Sequence, residues 1–234
     1  MSADSFINNR KDFATSIGKK DLYDYVDHFG LYAGLHTIGN KLWTYELFKK
    51  SVGVPGDIAE FGCWKGSNLL FLTKTLTLLE PNSYKNVYGF DNFSGLPAPS
   101  SEDGAYAKDQ IGKYHGNEEV LKKAIDFFGF KEKVVLVKGD ALETIPKFKQ
   151  ENKHIILSFA YLDFDLYDPT KVALNFIDEC ISVGGIIVFD EACTSIWPGE
   201  TLAMKEFMKN SSNKFKMISN TLSKQPTVTL QRIE

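Results

Sequence analysis

Apolar residues in this chain fall into short blocks of two kinds. The first kind is compact and rich in β-branched or aromatic side chains: residues 58–61, 86–90, 133–138, 155–162, 186–189, 215–219 and 227–231. Such runs, bounded by Gly, Asn, Asp or Ser, read as strands. The second kind spreads its apolar residues at helical spacing, over residues 21–29, 36–50, 69–79, 118–128, 141–148, 169–180 and 200–209. In 36–50 an approximate apolar stripe runs through Ile38, Leu42, Tyr45 and Leu47. The punctuation agrees. Gly53-Val54-Pro55-Gly56 breaks a helix and delivers the first strand, Asn117 caps the helix that Gly129 follows, and Gly184-Gly185 ends the helix that runs through Cys180. Residues 1–20 are polar and read as a loosely docked lead-in.

Strands that alternate with helices predict a parallel sheet covered on both faces. The last two strands, joined by a short turn, add an antiparallel pair and bring the sheet to seven strands. A helical lead-in over residues 1–50 and a main domain over 51–234 make one globular unit.

Composition removes several classes of function. The chain has 234 residues and a net charge of −3. Arg10 and Arg232 are its only arginines and the lysines are scattered, which argues against a nucleic-acid groove. Cys63, Cys180 and Cys193 have neither disulfide nor zinc spacing and fit a reducing compartment. The N-terminus lacks an apolar signal core, and no apolar run approaches the roughly 18 residues a membrane helix needs. A cytoplasmic protein that touches neither nucleic acid nor membrane is expected. His28 and His36 have no acid or cysteine partner at ligand spacing and read as ordinary surface or packing histidines.

The chemistry centres on residues 57–68. A short strand carries Glu60, turns on Gly62 and Gly66, and passes through Ser67 into a helix. The spacing is Glu-x-Gly-x-x-x-Gly, with Trp64 where a dinucleotide fingerprint would have its middle glycine. A glycine turn before a helix N-terminus offers bare backbone N–H groups to a ligand. Acids then recur: Glu60, Asp91, Asp140, Asp163 and Asp190 each lie at or near the C-terminal end of a predicted strand. In an open α/β sheet that edge binds ligands. Glu60, Asp91 and Asp140 surround the turn and suit a nucleoside with an amino-acid tail, whose ammonium, ribose and amine are all donors. Asp163, Asp190 and Glu191 belong to the next two strands, with no Lys or Arg beside them in sequence. Three such carboxylates repel unless a cation joins them, and an all-oxygen set favours Mg²⁺. Residues 92–99 form a turn-rich loop. Residues 100–116, with Tyr106, Tyr114 and His115, are the candidate for a mobile lid. The aromatic residues Tyr23, Tyr25, Phe29, Tyr32, Trp43 and Tyr45 near the N-terminus motivate a homodimer.

Four blocks together resemble the macrocin O-methyltransferase family. They are Val54-Pro55-Gly56-Asp57, Glu60-Phe61-Gly62-Cys63-Trp64-Lys65-Gly66, Tyr88-Gly89-Phe90-Asp91-Asn92-Phe93-Ser94-Gly95-Leu96-Pro97 and Leu162-Asp163-Phe164-Asp165-Leu166-Tyr167-Asp168-Pro169-Thr170. Gly184-Gly185, Asp190-Glu191 and Trp197-Pro198-Gly199 continue the likeness, with Glu191 where the family tends to have a second aspartate. The resemblance implies a Rossmann-like class I fold that binds S-adenosylmethionine and methylates sugar hydroxyls. It implies a cofactor set of Glu60, Gly62, Trp64, Gly66, Ser67, Asp91 and Asp140. It implies Mg²⁺ on Asp163, Asp190 and Glu191, and a base in Asp163 or Asp165. A catechol-like acceptor, and a non-catalytic cofactor-binding protein of the same fold, are the alternatives.

Overall fold

The computed structural model describes the backbone of residues 3–234 and the side chains of residues 9–234. All seven apolar blocks become strands: β1 (Asp57–Phe61), β2 (Val87–Asp91), β3 (Val134–Lys138), β4 (Leu157–Leu162), β5 (Ile181–Phe189), β6 (Phe215–Ser219) and β7 (Val228–Arg232). They form one sheet in the order β3-β2-β1-β4-β5-β7-β6. β1 to β5 are parallel, and β7 runs antiparallel to both of its neighbours.

Ten α-helices are described: α1 (Ala3–Ser16), α2 (Leu22–Asp27), α3 (Phe29–Tyr32), α4 (Leu35–Lys49), α5 (Ser67–Leu79), α6 (Gly104–Lys108), α7 (Glu118–Phe127), α8 (Ala141–Glu151), α9 (Tyr167–Cys180) and α10 (Pro198–Asn210). The two-residue period of a strand sorts the core into two layers. Ile58, Phe159, Tyr161 and Val188 face α4, α5 and α7. Ala59, Phe61, Leu162 and Phe189 face α8, α9 and α10. Phe159 and Phe61 are fully buried, and each such side chain contributes about 1.5–3 kcal/mol relative to exposure. Among the described residues no helix is long and apolar enough to cross a membrane.

In the helical lead-in, α1 docks on α7, with Phe13 stacked on Phe127 at 4.3 Å and Lys123 donating to the Ser16 carbonyl at 3.1 Å. Three expectations change. The helix expected over 21–29 divides into α2 and α3 at His28. Gly184-Gly185 does not end a helix; α9 stops at Cys180 and both glycines lie inside β5. There pairing with β4 jumps from Leu157↔Ile181 to Phe159↔Ile186, so the glycines take up a bulge, a common use of strand glycine. Finally, the apolar face of α4 is Gly39, Trp43, Thr44, Leu47 and Phe48. Leu42, placed in the stripe by spacing, is 53% exposed.

Strand order reverses between β1 and β4, because the chain builds β2 and β3 on one side of β1 and then returns to build the other. Ligands bind at such a switch point. The Gly62 amide donates to the Phe90 carbonyl at 2.8 Å, and the Asp163 amide donates to the Phe61 carbonyl at 2.8 Å. The turn after β1 and the acid after β4 therefore start side by side.

Candidate functional site

A cleft of about 630 Å³ opens at this edge, within the range of small-molecule sites. Gly62, Trp64, Asp91 and Asp140 line it from the β1–β3 side. Asp163, Asp165, Asp190 and Glu191 line it from the β4–β5 side, and Leu96, Tyr114 and Trp197 complete the wall.

The first half is built by backbone. Gly62 has φ +96°, and a Cβ there would lie 2.0 Å from the Asp163 carbonyl oxygen. Only glycine allows the two strand ends to meet. Asp91 pins the turn: its Oδ2 accepts from the amides of Cys63 (2.8 Å) and Trp64 (2.7 Å), and its Oδ1 from Phe93 (2.6 Å). Burial raises its proton affinity, and the same three N–H groups pull it back. Asp140 caps α8, accepting from the Leu142 amide at 2.9 Å.

Three residues of the expected cofactor set lie outside the cleft lining. Gly66, with φ +76°, ends the turn, and a Cβ there would fall 2.2 Å from a Leu121 methyl. The positive φ favours glycine at this position, and Leu121 of α7 packs against it. Ser67 opens α5 on the surface. Glu60 points to the α4–α5 face of the sheet and is 1% exposed. Its Oε2 has no hydrogen-bond partner. Burial pushes its carboxyl up to about 8, against the pull of Asn68 and Lys41.

The second half consists of acids with few donors. The Tyr161 hydroxyl donates to Asp190 Oδ1, and the Gln225 amide donates to Glu191 Oε1. Glu200, fully buried at the start of α10, accepts from the Glu191 amide at 3.2 Å, while its Oε2 is unpartnered. Burial first, and the neighbouring acids next, raise Asp163 and Asp165 well above the carboxylate range. Burial lifts Glu191 to about 7, and Asp190 adds to it. Asp190 is raised by burial and restrained by Tyr161, Lys41 and His36. Among the described residues, no three His, Cys, Asp or Glu side chains converge on a common point as a metal cluster. The donors on this side are carboxylate oxygens, a set whose chemistry could suit a hard cation, and Asp190 raises the proton affinity of both Asp163 and Glu191.

Three residues that line the cleft, Trp64, Tyr114 and Asp165, have positive φ (46°, 60° and 62°) without being glycine. Such strain collects at functional sites.

The segment expected as a lid folds into a flap. The Leu96 amide donates to the Lys113 carbonyl at 2.8 Å, and the Gly112 amide donates back to the Leu96 carbonyl at 2.9 Å. Between these ends lie a 3-10 turn (Ser101–Asp103) and α6. Asp103 is buried, and its Oδ1 accepts from the Tyr167 amide at 2.6 Å, latching the flap to the start of α9. Tyr106 meets Trp197 edge-on at 5.3 Å, and Tyr114 meets Trp64 at 5.9 Å. His115 lies outside the cleft lining.

Sequence spacing missed Lys41, Tyr161, Gln225 and Glu200. Lys41 lies on a helix whose buried face, Gly39, Trp43, Thr44, Leu47 and Phe48, departs from the apparent stripe. Tyr161 looked like strand core, and Gln225 and Glu200 reach the acids only through tertiary folding. Glu200 alone carried a hint, as an acid directly after Trp197-Pro198-Gly199.

Comparison with known proteins adds an independent line. The sequence profile of the family described as Macrocin-O-methyltransferase (TylF) matches residues 47–221. A Streptomyces olivaceus protein, 8-demethyl-8-(2,3-dimethoxy-alpha-L-rhamnosyl)-tetracenomycin-C 4'-O-methyltransferase, is 26% identical over 147 residues, 59% of this chain and 54% of that protein. The chain spans about half the length of the curated relatives it matches. Among solved structures, CalS11, a calicheamicin methyltransferase, superposes with a TM-score of 0.75 at 28% identity, over 98% of this chain and 91% of that one. The apo form of CalS11, described as a TDP-rhamnose 3'-O-methyltransferase, gives 0.68 at 29% identity over 98% and 93%.

Proposed function

This chain belongs to the macrocin O-methyltransferase family, and from that premise we propose that it transfers the methyl group of S-adenosylmethionine to a sugar hydroxyl. The acceptor classes are a deoxysugar, a nucleotide-linked sugar or a surface-polysaccharide sugar. One observation carries the reading. A single cleft joins a glycine turn pinned by Asp91 to the carboxylates Asp163, Asp165, Asp190 and Glu191 across the switch point.

The donor occupies the β1–β3 half. Gly62 and Trp64 present backbone to it. Asp91 spends three acceptor positions on the turn, and a carboxylate offers about four, which leaves one for a ribose hydroxyl. Asp140 takes the adenine amine, and Glu60, beneath the turn, takes the ammonium of the methionine tail. Gly66 and Ser67 act indirectly, by setting the turn and the start of α5.

The acceptor occupies the other half. Asp163, Asp190 and Glu191 would hold Mg²⁺, which supplies Lewis-acid polarisation of an acceptor hydroxyl. Tyr161 and Gln225 orient Asp190 and Glu191 for that task. Asp165, whose proton affinity is raised and whose backbone is strained, takes the hydroxyl proton; Asp163 is the other candidate for this role. The flap over residues 92–116, latched by Asp103, excludes water from the aligned reactants. The aromatic walls, Tyr114 and Trp197, also suit a phenolic ring, so a catechol-like acceptor is the second reading.

We read residues 51–234 as the catalytic domain and 1–50 as its helical lead-in. The lead-in exposes Tyr25, Phe29, Leu31, Tyr32 and Leu35, in keeping with a homodimer, which light scattering at micromolar concentration tests. We place the protein in the cytoplasm, in keeping with three free cysteines. The test of function is mass spectrometry of S-adenosylmethionine turnover against a panel of nucleotide-linked sugars, polysaccharide sugars and catechols. A methylated sugar supports the first reading, a methylated catechol the second, and no methylated product removes both.

A further inference from the structure

We infer that Asp103, on the flap, is a positioning residue for methyl transfer: by accepting from the Tyr167 amide it clamps the strained turn that carries Asp165. The inference rests on the functional reading above, and it gives the flap a second task besides the exclusion of water.

The chain leaves β4 through a tight reversal. The Leu166 amide donates to the Phe164 carbonyl at 2.7 Å, a bond between residues two apart. Asp165 between them has φ +62°. That combination marks the positive-φ γ-turn, the rarer and more strained of the two kinds. A residue other than glycine stays in such a conformation only where its surroundings over-determine it. The upstream end of the turn is tied to the sheet. The Asp163 amide donates to the Phe61 carbonyl at 2.8 Å, and the Phe164 ring meets Phe61 edge-on at 6.2 Å. The downstream end enters α9, and there the local sequence provides no cap. Leu166 holds the N-cap position and has no acceptor on its side chain, which leaves the Tyr167 amide without a local partner. Asp103 supplies one from 64 positions earlier, at 2.6 Å. A carboxylate also suits the positive end of a helix.

Asp103 is built to stay where it is. It is 1% exposed. Its Oδ2 accepts from the amide and the hydroxyl of Ser100, at 2.7 and 2.8 Å, which fixes the carboxylate at the head of the flap's 3-10 turn. Gly199, at the start of α10, leaves the space that the carboxylate fills. A Cβ there would lie 1.8 Å from Asp103 Oδ1 and 2.7 Å from the Tyr167 nitrogen. Leu96 and Ala107 of the flap, Leu166 next to Tyr167, and Trp197 two positions before Gly199 form a small core of their own, apart from the two layers on the sheet. Flap, γ-turn and the start of α10 therefore pack as one unit, and Asp103 joins the first two. Without Asp103 the turn keeps its tie to β1 and loses its tie at α9. Asp165 is then free to drift, while the donor half on β1–β3 keeps its shape.

Two measurements test the clamp. The first is amide hydrogen exchange, resolved to Tyr167, on the cofactor-free chain. Asp103→Ala should speed exchange at Tyr167 by about tenfold or more, as when a hydrogen bond to a charged group is lost, and leave the amides of β1–β3 as in the wild type. The second is steady-state kinetics on the sugar that the wild type methylates in the panel above. Asp103→Ala should lower kcat about a hundredfold, the scale for a group misplaced by about 1 Å, with KM for the sugar within about threefold. Its affinity for S-adenosylhomocysteine by calorimetry should match the wild type. Asp103→Asn, whose amide oxygen still accepts from Tyr167, should recover kcat to within about fivefold. Should Asp103→Ala not fold, Gly199→Ala, whose methyl displaces Oδ1 from the amide, carries the same expectation. A raised KM with kcat unchanged, wild-type exchange at Tyr167, or an asparagine variant as slow as the alanine one overturns the inference. A wild type that methylates no sugar removes the functional reading instead, and the exchange measurement still decides the clamp.

Discussion

The two halves of the cleft satisfy their acids in opposite ways. Asp91 in the donor half receives three backbone N–H groups, fixed by a turn whose geometry Gly62 and Gly66 impose. In the acceptor half Asp190 receives one phenol and Glu191 one amide, while burial and the neighbouring acids raise the proton affinity of Asp163 and Asp165. A site made from backbone is complete before its ligand arrives. A site made from carboxylates with few donors is held by its neighbours at a cost, which a bound cation would relieve. The donor half should therefore respond to substitution through shape, and the acceptor half through charge.

The largest effect is expected where the halves touch. Gly62→Ala places a methyl 2.0 Å from the Asp163 carbonyl at a φ of +96°. Strain and overpacking together should destabilise the fold by roughly 3 kcal/mol or more, read as a lowered melting temperature with loss of cofactor binding. Wild-type melting of Gly62→Ala would mean that the strand ends do not meet.

Next in size is a change of charge without a change of shape. Asp165→Asn should bind S-adenosylhomocysteine as the wild type does and lose activity by about 10²–10⁴-fold, the range for a positioned base. A variant that loses the cofactor as well would erase the division between the halves.

The pH dependence of stability is the third prediction. Glu60 is raised to about 8 and Glu191 to about 7. Between the ordinary glutamate range and these values the folded chain holds protons that the unfolded chain has released. Stability therefore falls as pH rises through that window. The cofactor-free, metal-free protein should melt lower at pH 8 than at pH 5.5, by about 2–4 °C for each kcal/mol lost in a chain of this size. Mg²⁺ should recover part of the difference at pH 8. A melting temperature that rises steadily over this interval would contradict the buried-acid account.

The smallest effect belongs to Asp140. Asp140→Ala removes the cap of α8 and should cost about 1 kcal/mol of stability, with a modest loss of cofactor affinity by calorimetry. Asp140→Asn, which caps as well, should recover the stability.

Much of this contrast was legible in the sequence, because strand ends announce themselves. Apolar runs rich in β-branched or aromatic residues, each with an acid at or near its end, marked β1, β2, β4 and β5. What the sequence concealed depends on side chains that arrive from elsewhere. Lys41 enters from a helix whose buried face departs from the apparent stripe. Gln225 enters from the turn between β6 and β7, and Glu200 from the start of α10. The packing of Gly66 stayed hidden because spacing cannot show that a Leu121 methyl of α7 would stand 2.2 Å from a Cβ there. The flap looked like an open loop because Asp103, its latch, is one acid among several until Tyr167 is seen to donate to it.

The most direct test of the central claim is methyl transfer measured by mass spectrometry on a sugar acceptor, with the enzyme stripped by EDTA and then given Mg²⁺. The account predicts a singly methylated sugar and S-adenosylhomocysteine only when the cation is restored, with cofactor binding by calorimetry unchanged throughout. Full turnover by the stripped enzyme in chelator would contradict it.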